Sequence, residues 1–171
     1  MCLRKQIRFM WFILAIAFSS CEKPFHPEDE YFIIRNPASG HVLEASNDFV
    51  NLQLFTGFKS QQWRLEPVRG GLHYIINRGT EKVMDLDYGS LLNKTKILIR
   101  ERTTSSVSCP TKEQVNVGAC QKWYIQYGGV IVNVCGKYAL DIQGGLNLPG
   151  DSLQTFPLHE KDNQKFIFQY L

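Results

Sequence analysis

The sequence closes three hydrophobic segments with the same short motif, and this repetition constrains the fold more than any other feature. The motif is glutamine, any residue, then tryptophan or phenylalanine, at Gln61–Trp63, Gln121–Trp123 and Gln164–Phe166. Upstream of each motif an acidic residue follows an apolar pair, and these acids are Glu44, Asp85 and Asp141. Three matching copies predict one closed domain built from a repeated unit.

Each copy contains about four short strands, which are rich in β-branched and aromatic residues and bounded by turn formers. The third strand of the first copy, for example, is predicted at Val50–Phe55. No segment keeps a helical apolar period. One such unit cannot bury a core alone, whereas three units closed into a barrel can. We therefore predict an all-β domain over residues 31–171 with pseudo-three-fold symmetry, whose shared core includes Trp63, Trp123 and Phe166.

Residues 1–20 predict an export signal rather than a part of this domain. Arg4, Lys5 and Arg8 precede an apolar run from Phe9 to Phe18, and small residues follow it. This order is typical of a secretory signal peptide, and the run is shorter than the roughly 20 residues of a membrane-spanning helix. A single N-terminal anchor helix is the alternative. Residues 21–30 contain two prolines and several acids and predict a linker.

We predict a secreted protein with no stable membrane span after signal cleavage. Lipid anchoring through Cys21 is the alternative, because the segment from Phe18 to Cys21 resembles a bacterial lipobox. The net charge of +3 equals the charge of the three basic residues in the signal, so the mature domain is close to neutral. This balance gives no support for binding to nucleic acid.

Four cysteines remain after the predicted cleavage, and in an oxidising compartment they allow three pairings. Cys109 and Cys120 are the preferred disulfide candidate, because they flank a loop within the long insertion Arg102–Ala119 of the second copy. No cysteine or histidine spacing is typical of a zinc site, and no phosphate-binding loop motif occurs. We therefore predict neither a metal nor a cofactor.

These residues resemble the ricin B-type lectin family, whose domains are β-trefoils of three repeats that each end in Gln-any-Trp. The resemblance spans about residues 31–171 and is strongest in the third copy, at Ala139–Gln143, Leu153–His159 and Asn163–Phe166. It implies a lectin, with galactose or N-acetylgalactosamine ends of glycans as the ligand class. Phe166 departs from the family's tryptophan, which costs size in the core rather than a ligand contact.

The resemblance implies a sugar site in the third copy, formed by Asp141, Phe156, Asn163 and Gln164, with a further hydrogen bond from His159. A carboxylate accepts hydrogen bonds from neighbouring sugar hydroxyls, and an amide can both donate and accept. A flat ring covers the apolar face of the sugar. Three of these residues also have a plain structural interpretation: Asp141 as a turn cap, Phe156 as a half-buried strand residue, and His159 as a structural contact.

The other two copies match this site less well. Glu44, Phe55 and Gln61 form a doubtful second site, since Glu44 replaces an aspartate and Ser60 stands where the family has asparagine. In the second copy Arg100 takes the ring position and Cys120 the asparagine position, which predicts no working site there.

We predict a binding protein rather than an enzyme. The three acids fall on separate repeats, which excludes a catalytic carboxylate pair, and no histidine has a nucleophile at a recognisable spacing. The expected partners are glycans or glycoproteins, and self-association would supply avidity to one weak site. The alternative is a β-trefoil that has lost sugar binding and serves as a protein-interaction, effector or inhibitor module, for instance through Arg102–Ala119.

Overall fold

The computed structural model describes residues 30–87, 92–103 and 118–171. This part of the chain contains twelve strands, of which the longest have six residues. Their bounds are β1 Phe32–Arg35, β2 Val42–Ser46, β3 Phe49–Gln53, β4 Trp63–Val68, β5 Leu72–Asn77, β6 Val83–Leu86, β7 Ile97–Arg100, β8 Trp123–Ile125, β9 Ile131–Asn133, β10 Ala139–Ile142, β11 Leu153–Phe156 and β12 Ile167–Tyr170. Short 3-10 turns at Lys59–Gln61 and Asp162–Gln164 precede β4 and β12.

The signal peptide predicted at 1–20, and all of the linker except Glu30, lie outside the described residues, as do residues 104–117 of the insertion. In the described ranges no helix is long and apolar enough to cross a membrane. The same ranges contain no group of three or more histidine, cysteine, aspartate or glutamate side chains that could hold a metal ion.

The first and fourth strands of the three repeats pair side by side as a barrel. β1 pairs with β12 and β4, β4 with β5, β5 with β8, and β8 with β9, all antiparallel. A backbone hydrogen bond from Phe166 N to Gly129 O (2.9 Å) joins the segment before β12 to the segment before β9. Closure of this kind leaves few exposed strand edges.

The second and third strands of each repeat form a hairpin. β2 pairs with β3, β6 with β7, and β10 with β11. The hairpins also contact one another, since Phe49 pairs with Leu98 and isolated bridges join Asn51 to Ser152 and Lys96 to Gln154. Three four-strand repeats arranged in this way form a β-trefoil, so the predicted fold is confirmed.

One large core collects apolar side chains from all three repeats. Trp63, Trp123 and Phe166 lie within it, and each is at most 1% exposed. The indole Nε1 of Trp63 donates to Leu43 O (3.1 Å), and that of Trp123 donates to Met84 O (3.1 Å). Each indole therefore holds the backbone of the residue just before its repeat's acid. The phenyl side chain of Phe166 has no N–H to do the same in the third repeat.

Three fully buried asparagines join each repeat to the preceding one around the ring. Each lies at or just after the end of the first strand of its repeat and donates its amide to a carbonyl near the closing motif of the neighbouring repeat. The bonds run from Asn36 to Asp162 O (2.7 Å), from Asn77 to Ser60 O (2.8 Å) and from Asn133 to Cys120 O (2.8 Å). Their role depends on contacts between repeats, which the motif pattern along the chain does not reveal.

Candidate functional site

Asp141 is the centre of the third-repeat site, and its carboxylate is held in one orientation by four neighbours. Gln154 Nε2 donates to Oδ1 at 2.9 Å. Asn163 Nδ2 and Gln164 Nε2 donate to Oδ2 at 2.8 and 3.0 Å, and His159 Nε2 lies 3.2 Å from the same oxygen. Although Asp141 is only 2% exposed, it lies in the lining of an open cavity. The structure therefore places three of the other four predicted site residues, Asn163, Gln164 and His159, around the carboxylate of Asp141.

Gln164 orients this carboxylate rather than facing solvent, because it is fully buried and all its polar atoms are engaged. Its Nε2 also donates to Pro157 O (3.0 Å), and its Oε1 accepts from His159 N (3.0 Å). The motif glutamines of the other repeats bind their own acids in the same way: Gln61 binds Glu44 at 2.6 Å, and Gln121 binds Asp85 at 3.0 Å. Three separate acid–glutamine pairs result.

Phe156 and His159 form an aromatic wall beside Asp141. Phe156 lies at the end of β11 and pairs in register with Ala139, two residues before Asp141. Its ring and the His159 ring have centroids 5.7 Å apart and planes tilted by 59°. Both side chains are only partly buried and line the same cavity, which has a volume of about 440 Å³. An apolar ring next to oriented polar groups is the usual composition of a small-ligand site.

Asn163 adds an acceptor to this cavity. Both of its amide hydrogens are used, since Nδ2 donates to Asp141 and also to Ile142 O (3.1 Å). Its Oδ1 accepts no hydrogen bond from the described residues. A ligand hydroxyl can therefore donate to this oxygen.

Gln154 and Lys94 are among the residues of the site that were not found from the sequence. Gln154 lies directly opposite Asp141 in the β10–β11 hairpin and donates to it. Lys94 comes from the loop before β7 in the second repeat, and it lines the cavity with its Nζ 6.0 Å from the centroid of the Phe156 ring. The alternation of side chains along β10 and β11 was the signal available for Gln154, whereas no local pattern points to Lys94.

The first repeat differs from the predicted second site at its ring position. Val42 pairs with Gln53 as Ala139 pairs with Phe156, so Gln53 holds the equivalent position. Phe55 lies beyond the end of β3 and is 46% exposed. The strand ends earlier than its apolar pattern predicted, and the ring position in this repeat is therefore corrected from Phe55 to Gln53.

The acid of the first repeat is nevertheless arranged like that of the third. Glu44 Oε2 accepts from Gln61 Nε2 at 2.6 Å, and Ser60 Oγ lies 3.5 Å from Oε1. Ser60 therefore takes the place of an asparagine with a longer contact. Without a ring at the register position, this repeat has an oriented carboxylate but lacks an aromatic wall of the third-repeat kind.

The second repeat has a cavity of about 600 Å³ with a different lining. Asp85 accepts from Leu86 N (2.7 Å) and from Gln121 Nε2 (3.0 Å). Burial raises the pKa of Asp85, and these hydrogen bonds oppose the rise only in part. Arg100 occupies the ring position and lies 3.4 Å from Asp87. A guanidinium in place of a ring is consistent with the prediction of no sugar site here.

Cys120 is buried at the position that corresponds to Asn163. A hydrogen bond with the Cys135 side chain lowers the pKa of the Cys120 thiol. Cys109 lies outside the described residues, so the Cys109–Cys120 disulfide stays a prediction. Because Cys120 contacts Cys135, a Cys120–Cys135 disulfide is a second pairing that has to be distinguished from the Cys109–Cys120 disulfide.

A family model described as a ricin-type beta-trefoil lectin domain-like domain matches residues 19–100. In this range the chain is similar to ricin-type β-trefoil lectin domains, and its described residues form a β-trefoil. The family match covers the first repeat and the second as far as the end of β7. It does not extend to the third repeat, where the aromatic wall and the oriented carboxylate meet. No curated protein matches the chain by sequence.

Solved structures extend the likeness of fold to all three repeats. The designed three-fold symmetric protein ThreeFoil aligns with a TM-score of 0.70 and 20% identity, over 82% of this chain and 99% of its own. The Macrolepiota procera ricin B-like lectin in complex with lactose has a TM-score of 0.64 and 15% identity, over 81% and 94%. The C-half of the earthworm R-type lectin in complex with GalNAc has a TM-score of 0.62 and 16% identity, over 83% and 99%. At these identities the likeness concerns the fold.

Proposed function

We propose that this β-trefoil domain is a carbohydrate-binding protein, and that its third repeat binds galactose- or N-acetylgalactosamine-type ends of glycans. The observation that carries the proposal is the Asp141 carboxylate, oriented by four side chains at a cavity whose wall is the Phe156 ring. The lectins of similar fold that were crystallised with lactose and with GalNAc support the ligand class.

The proposed division of roles follows from the remaining hydrogen-bonding capacity. Asp141 Oδ1 accepts one bond, from Gln154, and so retains a lone pair for a sugar hydroxyl. Asn163 Oδ1 accepts from a second hydroxyl, and Phe156 covers the apolar C–H face of the ring. Gln164 and His159 act indirectly, by holding the carboxylate. One shallow site of this kind is expected to bind in the range of about millimolar to tens of micromolar.

We infer binding rather than catalysis from the separation of the acids. Glu44, Asp85 and Asp141 each bind the motif glutamine of their own repeat, so no two of them share a site among the described residues. Glycosidases place two carboxyl groups on either side of one bond. The arrangement in this chain does not provide such a pair.

A glycan array tests the proposal, with the whole chain compared with Asp141→Ala. We expect binding to galactose-type ends that falls at least about tenfold in the variant, since a charge-assisted hydrogen bond contributes about 1.5–3 kcal/mol. Glu44→Ala is the matched control, because it removes the equivalent acid of the first repeat. Binding that survives Asp141→Ala and disappears in Glu44→Ala would move the site to the first repeat. No binding by a folded chain would favour the protein-interaction alternative.

We further propose that the chain is exported and loses residues 1–20. The basic start and short apolar run support this location, and Cys21 would then be the first residue of either a free or a lipid-modified product. Mass spectrometry of the mature N-terminus distinguishes the two forms. An intact Met1 in the final product would contradict the proposal.

A further inference from the structure

We propose that the third-repeat pocket selects glycans that carry an anionic substituent, a sulfate ester or a carboxylate, which Lys94 and Lys161 bind. This inference rests on the proposed function and narrows its ligand class. Protein hydrogen-bond donors surround the Asp141 carboxylate in the pocket lining. The ammonium groups of Lys94 and Lys161 line the same pocket and are not enclosed in this way.

Lys94 is brought to the pocket by the second repeat. Its backbone N–H donates to Thr155 O (2.5 Å), next to Phe156 in β11. Thr95 N donates to Thr155 Oγ1 (3.2 Å), and Thr155 Oγ1 lies 3.2 Å from Leu92 O. The loop is thus attached to the strand that carries the aromatic wall. The held backbone fixes the point at the pocket rim from which the Lys94 side chain starts.

Lys161 enters from the segment just before the 3-10 turn Asp162–Gln164. Its N–H lies 3.3 Å from His159 Nδ1, and its carbonyl accepts from Gln164 N (3.1 Å). The side chain lines the main pocket and also an adjoining cavity of about 520 Å³. It can therefore reach a substituent on the bound sugar or on the next sugar of the glycan.

Little negative charge of the protein faces the pocket near these two lysines. Asp141 is the acid of the main pocket, and protein donors surround its buried carboxylate. Neither lysine forms an ion pair with an acidic side chain of the described residues. Glu160 and Asp162 flank Lys161 in the sequence, but neither lines the main pocket. Asp162 lines the adjoining cavity, where it pairs with Lys165 at 3.3 Å. A ligand that approaches the pocket therefore meets an excess of positive charge.

The first repeat shows that the lysine is a property of the third-repeat site rather than of the fold. The residue before the 3-10 turn is Lys161 in the third repeat and Phe58 in the first. Fold geometry alone does not require a cation at this position. Sulfate and carboxylate groups accept strong hydrogen bonds from ammonium donors, which gives the substitution a chemical reason.

The experiment measures affinity of the whole chain for three matched probes: a neutral galactoside, the same galactoside with a sulfate ester, and one extended with a uronic acid. Lys94→Gln, Lys161→Gln and the double variant are compared with the wild-type chain. Lys59→Gln is the control, because it removes the same charge at an exposed position outside this pocket. Thermal unfolding of each variant checks that the fold is retained.

We expect the wild-type chain to bind at least one anionic probe about tenfold more tightly than the neutral one. Each single substitution should lower that affinity about two- to fivefold, as for exposed ion pairs, and the double variant should reduce it to the neutral level. Affinity for the neutral probe should fall less than affinity for the anionic probes, and Lys59→Gln should match the wild type. The preference should also shrink as salt is raised. The two anionic probes show which substituent the pocket accepts.

Two results would overturn the inference in distinguishable ways. Equal affinity of wild-type chain for neutral and anionic probes refutes the charge selectivity and leaves the lectin proposal standing. No affinity of a folded wild-type chain for any probe refutes both. Anionic binding that persists in Asp141→Ala but is lost in the double lysine variant would show a charged surface without a sugar site, which contradicts the proposed function.

Discussion

Gly129→Ala is expected to destabilise the domain far more than Gly128→Ala, although the two glycines are neighbours. Both have a left-handed backbone, with φ of 84° at Gly128 and 83° at Gly129. A Cβ on Gly128 meets no atom within 4 Å, whereas a Cβ on Gly129 would lie 2.0 Å from Phe166 O. The pair therefore separates the backbone strain of alanine, which both variants share, from a steric clash at the place where the third repeat closes.

The magnitudes can be estimated from these contacts. Alanine in the left-handed region costs about 1–2 kcal/mol, which is the whole effect expected for Gly128→Ala. At Gly129 the clash adds about 1–3 kcal/mol of overpacking. It also displaces the 2.9 Å hydrogen bond from Phe166 N to Gly129 O, which contributes about 0.5–1.5 kcal/mol. We therefore expect Gly129→Ala to lower the free energy of unfolding by about 3–6 kcal/mol.

Urea unfolding followed by tryptophan fluorescence measures both variants against the wild-type chain. Unchanged m-values would show that the comparison concerns native-state stability. A difference between the variants below about 0.5 kcal/mol would refute the reasoning. It would mean that the approach of Gly129 to Phe166 is not a constraint on this fold.

Two further predictions concern a buried acid and a buried amide. The pKa of Asp85 is raised in the folded protein, so the native state binds the Asp85 proton more tightly than the unfolded state does. The contribution of Asp85 to stability therefore falls as pH rises above 3.8. Asp85→Asn should remove this dependence, so its stability relative to the wild type should increase from about pH 4 to pH 7; a constant difference in urea unfolding would contradict this. Asn77→Ala should cost about 2–4 kcal/mol in thermal unfolding, because Ser60 O loses its amide donor, Gln62 O loses one of two donors, and the N–H groups of Gly79 and Thr80 lose their acceptor. A loss no larger than that of exposed Asn93→Ala would show that the bond between repeats contributes little.

The number and order of strands were predictable because each repeat carries its own local signal. Every closing motif supplies a large apolar residue and a glutamine, and an acid precedes it at a strand position. One four-strand unit is too small to bury its apolar side chains alone, so three copies must pack together around a shared core. The repeated pattern therefore predicts the β-trefoil. The grouping of Asp141 with Asn163 and Gln164 came from the resemblance to the ricin B-type lectin family rather than from the repeat pattern.

The register of the hairpins was not predictable in this way. The alternating apolar residues of Val50–Phe55 suggested a strand through Phe55, but β3 ends at Gln53, where its pairing with β2 ends. A strand pattern identifies alternation, whereas the last paired residue depends on the partner strand. For that reason the ring position of the first repeat was displaced, and Gln154, which faces Asp141 across its hairpin, was missed.

The sequence by itself determined the repeat and the fold class, because the closing motif and the strand pattern before it recur three times along the chain. Only the tertiary structure decided what surrounds the pocket. Lys94 belongs to the second repeat and reaches the third because its loop is attached to Thr155. Asn36, Asn77 and Asn133 join successive repeats for the same kind of reason. Such contacts depend on how the closed ring brings distant segments together, and no local spacing records that.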